Sequence, residues 1–143
     1  AQNPSISLDE LATATANWCE KTKLFGALDT LENLKKGGRV SGAKAFFASA
    51  LAIKPIVEIR EGKIVEGGKE RTRSKALAFL VEKVKSAGPI TNLAVLHAQC
   101  SDLDAFVEQL KGVYSGEIIV GDVGSVIGSH TGIGTMGVTF HVK

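Results

Sequence analysis

The chain has 143 residues, of which 44% are hydrophobic, and 17 Lys and Arg stand against 15 Asp and Glu for a net charge of +2. That length suits one domain with a real core, and the near balance of charge excludes a generally polybasic nucleic-acid binder. Cys19 and Cys100 are too few for a disulfide scaffold and match no zinc motif with the three histidines, so neither a metal nor a cofactor is expected; no apolar run reaches membrane-spanning length, so no stable membrane insertion is expected and a reducing, cytoplasmic setting is.

Taken in order, Ser7 before Asp9 and Glu10 has the pattern of a helix start, a capping hydroxyl followed by carboxylates in the first turn. Leu8, Leu11, Ala12, Ala16 and Cys19 give that helix a weak apolar face, which predicts a peripheral position. Leu24 to Leu28 reads as a short strand. Asp29 or Thr30 then caps a short helix through Lys36, with Leu31 and Leu34 on one face, and Gly37 and Gly38 stop it. Arg39 follows, either an ordinary solvated charge or a guanidinium placed to meet a carboxylate or an acidic partner surface. The run from Ser41 to Ile53 is apolar nearly all round and predicts a helix buried on most faces. Phe46, Phe47, Leu51 and Ile53 in it read first as core packing.

Pro55 to Arg60 alternates apolar and polar residues as a strand does. Glu61 and Gly62 make a tight turn, and Lys63 to Glu66 returns as the second strand of a hairpin. Gly67 and Gly68 are expected to open a loop. The segment from Lys69 to Lys75 leads a helix through about Ser86, with Ala76, Leu77, Leu80, Val81 and Val84 as its apolar stripe. Arg71 and Arg73 fall at the positive end of that helix's dipole, an unfavourable place for cations. Thr91 to Ala98 reads as a buried strand with His97 at the core's edge. Asp102 to Lys111 is an amphipathic helix capped by Ser101, with Leu103, Phe106, Val107 and Leu110 inward. Glu117 to Val120 is the next strand, and Val138 to Val142 closes the sheet. Interleaved strands and helices with one explicit hairpin predict an α+β two-layer sandwich, a mixed β-sheet with helices mainly on one face.

The densest chemical signal lies between those last two strands. Six glycines fall between Gly121 and Val138, around Ser129, His130 and Thr131. A glycine-dense loop lets backbone N–H groups approach a ligand closely, and two hydroxyls with an imidazole add polar groups suited to a carboxylate or phosphate. A glycine-rich turn with a structurally satisfied histidine fits the loop equally well.

The sequence from Val123 to Val138 resembles the closing motif of the DegV family, usually of the form V-G-P-V-I-G-T-H-T-G-P-G. Leu28 to Gly42 resembles that family's L-x-x-L-K-K-G-G-R-I-S, and Ile53 to Ile56, Gly62 to Ile64 and Arg71 to Arg73 follow in the family's order. The resemblance implies a protein that binds one long-chain fatty acid and presents it to a fatty acid kinase, with no catalytic residue of its own. It implies His130, Thr131 and Ser129 at the carboxylate and an acyl-tail pocket of Phe46, Phe47, Leu51 and Ile53. It also implies a basic face of Arg39, Arg71 and Arg73 for docking the kinase. The match is to the family's C-terminal domain over residues 1–143, so the partner N-terminal domain, with its T-S-x-x-S-G-type loop, is expected to complete the site. Two other readings stay open beside it. One is a regulatory module without bound lipid. The other is an enzyme using His130 as base and Ser129 or Thr131 as nucleophile, against which adjacent residues rarely face one another. No aromatic-basic repeat supports nucleic-acid binding.

Overall fold

The computed structural model describes residues 5–38 and 53–143. In chain order its elements are α1 (Leu8–Lys21), β1 (Thr22–Ala27), α2 (Glu32–Lys36), β2 (Lys54–Arg60), β3 (Lys63–Glu70), α3 (Arg73–Ser86), β4 (Ile90–His97), α4 (Leu103–Lys111), β5 (Ile119–Asp122), α5 (Ser125–Thr131) and β6 (Met136–Val142). The strands form one sheet in the order β3-β2-β1-β6-β4-β5. All pairs are antiparallel except β4 with β5, so the sheet is mixed as the sequence predicts.

The predicted hairpin is β2 and β3, turning at Glu61 and Gly62 with φ of 51° and 71°. Gly67 and Gly68 do not open a loop. β3 continues through them to Glu70, and the ladder takes up the irregularity between Ile56 and Val57 as a bulge. The last strand does not close an edge. β6 lies between β1 and β4, and Met136, Val138 and Phe140 are buried to 1% exposure or less, as a central strand's inward face should be.

That inward face meets α3 and α4. Phe25, Ile56, Leu93, Val95, Met136 and Val138 from the strands pack with Leu77, Leu80, Val84, Phe106 and Leu110 from the helices. The apolar stripe predicted for α3 is therefore the stripe it buries. Val57 points to the opposite face from Ile56, where it joins Leu28 and Leu34 in a smaller cluster under α2. α1 buries no residue, which matches its weak apolar face, and it touches the sheet through Trp18 beside the His141 ring at 5.4 Å. Its start is a complete capping box between Ser7 and Glu10.

The register also decides where the connections gather. β1, β3, β4 and β5 run one way, and β2 and β6 the other. The starts of α2, α3, α4 and α5 therefore all lie at one end of the sheet, together with the turn that enters β6. Leu80→Ala is expected to lower unfolding free energy by about 2–5 kcal/mol, because Leu80 has no exposed surface. Leu8→Ala, at 80% exposure, is expected to change it by less than about 0.5 kcal/mol. Urea unfolding of the two variants checks both.

Candidate functional site

The glycine-dense stretch is less open than its composition implies. β5 delivers the chain into α5, whose short helix is closed by Gly128 N–H on the Gly124 carbonyl at 2.8 Å and Gly132 N–H on the Gly128 carbonyl at 2.7 Å. Ser129 Oγ donates to the Val126 carbonyl at 2.8 Å, and Thr131 Oγ1 to the Ile127 carbonyl at 3.1 Å. Both hydroxyl protons are therefore engaged along their own helix. His130 differs. Its Nδ1 is buried without a hydrogen-bond partner among the described residues, a condition that costs free energy when it goes unanswered.

The reason Nδ1 is buried is Gly37. The imidazole sits where a side chain on Gly37 would begin, so the end of α2 and the end of α5 meet without a Cβ between them. The two glycine motifs, far apart in sequence, are thus one place in the fold. Gly134, with φ of 82°, makes the same kind of contact beside the Asp29 side chain. Exposed apolar side chains lie one turn before His130 and three residues after it. Val126 is 74% exposed, Ile127 59% and Ile133 72%, and sequence reasoning passed over all three. Their signal was a pair of β-branched residues and a third set among glycines, which periodicity does not register.

Behind the site lies an arginine. The structure separates the pair expected on one basic face. Arg71 is exposed, whereas the Arg73 side chain is 24% exposed and turned inward. Its Nε donates to Asp102 Oδ2 at 2.9 Å and its Nη2 to Asp102 Oδ1 at 3.0 Å, a two-pronged fork. Nη2 also donates to Cys100 Sγ at 3.3 Å, and Nη1 donates to the Gly134 carbonyl. Asp29 Oδ1 lies 3.7 Å from Nη1 and accepts from Lys54 Nζ at 2.9 Å. Burial works against the Arg73 charge, but the bonds to Asp102 and Cys100 outweigh it and hold the pKa above its ordinary value. Asp102 is the α4 N-cap in place of the expected Ser101, and it makes no side-chain capping bond because its carboxylate faces Arg73.

Ser129, His130 and Thr131 share α5, and Ile53 is half-buried just before β2. Arg39, Phe46, Phe47 and Leu51 lie outside the described residues. His97 lies at the core's edge, with Nε2 3.4 Å from Asp122 Oδ1 and Nδ1 accepting from the Cys100 N–H at 3.4 Å. Cys19 is exposed and Cys100 half-buried, both as free thiols. No group of three metal-ligating side chains occurs among the described residues.

Gly37→Ala is expected to push the His130 ring from its seat and lower unfolding free energy by about 1–3 kcal/mol. Gly124→Ala, which meets open space, should cost less than about 0.5 kcal/mol in the same thermal-unfolding assay. A second expectation concerns pH. Hydrogen bonds from Arg73, chiefly, hold the Asp102 carboxyl below the usual carboxylate range. The stability this adds is present above the unfolded value of about 3.9 and is lost as pH falls through the lower folded value. Asp102→Asn should therefore destabilise the protein near neutrality, and its deficit should shrink below about pH 4, as read from urea midpoints between pH 7 and pH 2.

Comparison with known proteins gives a consistent result. The family model described as "Uncharacterised protein, DegV family" matches residues 1–143. A DegV domain-containing protein of Streptomyces coelicolor is 38% identical over 137 residues, covering 92% of this chain and 49% of that protein. The crystal structure of a fatty acid binding DegV family protein from Streptococcus agalactiae superposes with a TM-score of 0.86 at 30% identity, over 96% of this chain and 50% of that one. A DegV family protein from Eubacterium eligens loaded with heptadecanoic acid superposes at 0.81 with 27% identity, over 96% and 51%. The chain spans about half the length of the curated relatives it matches.

Proposed function

The chain belongs to the DegV family, and we propose that it binds a long-chain fatty acid, with His130 addressing the carboxylate. The observation that carries this reading is the His130 imidazole, seated on Gly37 with an Nδ1 unpartnered among the described residues, one helical turn after the exposed Val126 and Ile127. An Nδ1 without an acceptor to donate to leaves the ring proton on Nε2, which is the donor a carboxylate needs. Fatty acids bound by the Streptococcus agalactiae and Eubacterium eligens relatives support the same ligand class.

The division of labour follows from magnitudes. Each buried methylene contributes about 0.8 kcal/mol, so the tail supplies most of the affinity without polar contacts. The head group needs orientation rather than strength. In this reading Ile53, with Phe46, Phe47 and Leu51, belongs to the tail pocket, and Ser129 and Thr131 can join His130 only by turning their protons from the helix carbonyls. A second domain of the full-length protein supplies the rest of the carboxylate site. Arg71, exposed at the start of α3, belongs with Arg39 to a basic face that docks a separate cytoplasmic kinase, which converts the presented carboxylate to an acyl phosphate. The chain itself acts as a carrier rather than an enzyme, for Ser129 and Thr131 donate to backbone carbonyls and not to His130. No helix among the described residues is long and apolar enough to cross a membrane.

Native mass spectrometry with lipid extraction should find one fatty acid bound, to this chain or to the chain joined to its companion domain. His130→Ala should weaken oleate binding roughly tenfold, the worth of one charge-assisted hydrogen bond, and leave methyl oleate binding unchanged. Failure of both forms to bind any fatty acid would sink the reading.

A further inference from the structure

Arg73 reaches three connections that no local sequence pattern links. The α3 start carries it, the β4–α4 turn offers Asp102 and Cys100, and the turn into β6 offers the Gly134 carbonyl. Asp29, after β1, stands 3.7 Å away. Four N–H bonds in fixed directions leave a guanidinium little freedom, and a lysine ammonium cannot reproduce them, since it lacks the planar fork. The Gly134 end of this arrangement is itself tightly held. Gly134 N–H donates to the Ala98 carbonyl at 2.8 Å, Ala98 N–H donates to the Thr135 carbonyl at 2.9 Å, and Thr135 Oγ1 donates to the Gly132 carbonyl at 2.7 Å. Gly132 is the residue that ends α5, two positions after His130. Gly134 and the imidazole are therefore joined by a short, hydrogen-bonded turn.

We propose that Arg73 is a positioning residue for the carboxylate site: by holding the Gly134 carbonyl against the Asp102 fork, it sets the α5–β6 turn and with it the seat of His130 on Gly37. The assignment rests on the fatty-acid reading only for the ligand that His130 meets. The placement of the ring is a property of the chain without ligand. It also gives Arg73 a different task from Arg71, its exposed neighbour two residues earlier.

The test is Arg73→Lys, which keeps the charge and removes the fork. In the ligand-free protein, NMR of the His130 ring and of the Gly132 and Gly134 amides should show shifted or broadened signals, while the core methyls of Leu80 and Val138 stay in place. Oleate affinity should fall about tenfold and methyl oleate affinity should not. Unmoved His130 signals with unchanged oleate affinity would overturn the proposal, and so would equal losses for the acid and the ester, which would mark a general loosening. If the unsubstituted protein binds neither lipid, the fatty-acid reading fails alone, because the ligand-free His130 signals still decide the placement. Should Arg73→Lys not fold, Asp102→Asn takes its place. It loosens the fork while leaving the guanidinium, and it is expected to move the His130 signals too; signals that stay fixed would overturn the proposal.

Discussion

β6 is the strand on which the sheet depends. β1 and β4 do not pair with each other; each pairs with β6, so β3-β2-β1 and β4-β5 become one sheet only through the last strand in the chain. Its inward residues Met136, Val138 and Phe140 are the middle of the core that α3 and α4 cover. Burial on one face and ladders on both edges leave this strand little freedom. The turn that leads into it inherits the constraint. Ala98 and Thr135 bond across that turn, and Gly134 is fixed between Ala98 and Arg73. The site is thus suspended from the core's central strand, a few residues upstream of it.

Direction matters as much as position. Because β1, β3, β4 and β5 run the same way, the helix starts and the β6 entry come together at one end, and charge at that end has to be arranged. Lys54 with Asp29 is an exposed pair, with side chains 30% and 42% exposed, and such pairs contribute about 0–1 kcal/mol. The Arg73–Asp102 fork is better shielded and two-pronged, but removing its charges from water offsets much of what their attraction returns. Neither is needed to explain why the domain is stable, since the apolar core does that. What the fork supplies is geometry, a fixed meeting of α3, α4 and the β6 turn.

Much of this was legible in sequence where the determinants are local. The Ser7 cap, the Glu61–Gly62 turn and the stripe from Ala76 to Val84 each depend on residues a few positions apart, and each is found where the pattern puts it. The misreadings share a different cause. Gly67 and Gly68 look like a loop because strands seldom hold two glycines, yet pairing with β2 keeps them in the ladder through a bulge. Ser101 looks like the cap of α4, but Asp102 takes that position with its side chain committed to a residue 29 positions earlier. α5 is seven residues long, too short for periodicity to outweigh Gly128 within it and the glycines that flank it. The centrality of β6 is a topological fact, and no window along the chain contains it. For the candidate site, the residue types around His130 were legible, but its seat on Gly37 and the inward turn of Arg73 were not, since both are long-range contacts.

The seat on Gly37 explains why two glycine motifs sit so far apart in one chain. The carboxylate role proposed for His130 needs an imidazole fixed to within a fraction of an ångström, and a short surface helix with no buried residue cannot fix it alone. α5 has no apolar anchor of its own, because Val126 and Ile127 face outward, as does Ile133 just beyond the helix. Its hold on the domain comes instead from close backbone approach, His130 on Gly37, Asn33 beside Gly132 and Asp29 beside Gly134. Close approach of this kind frees the outward side chains from structural duty. An element held through its glycines can expose apolar residues toward a ligand without loosening itself, and the same glycines that suggest an open anion loop in the sequence serve in the fold as the means of attachment.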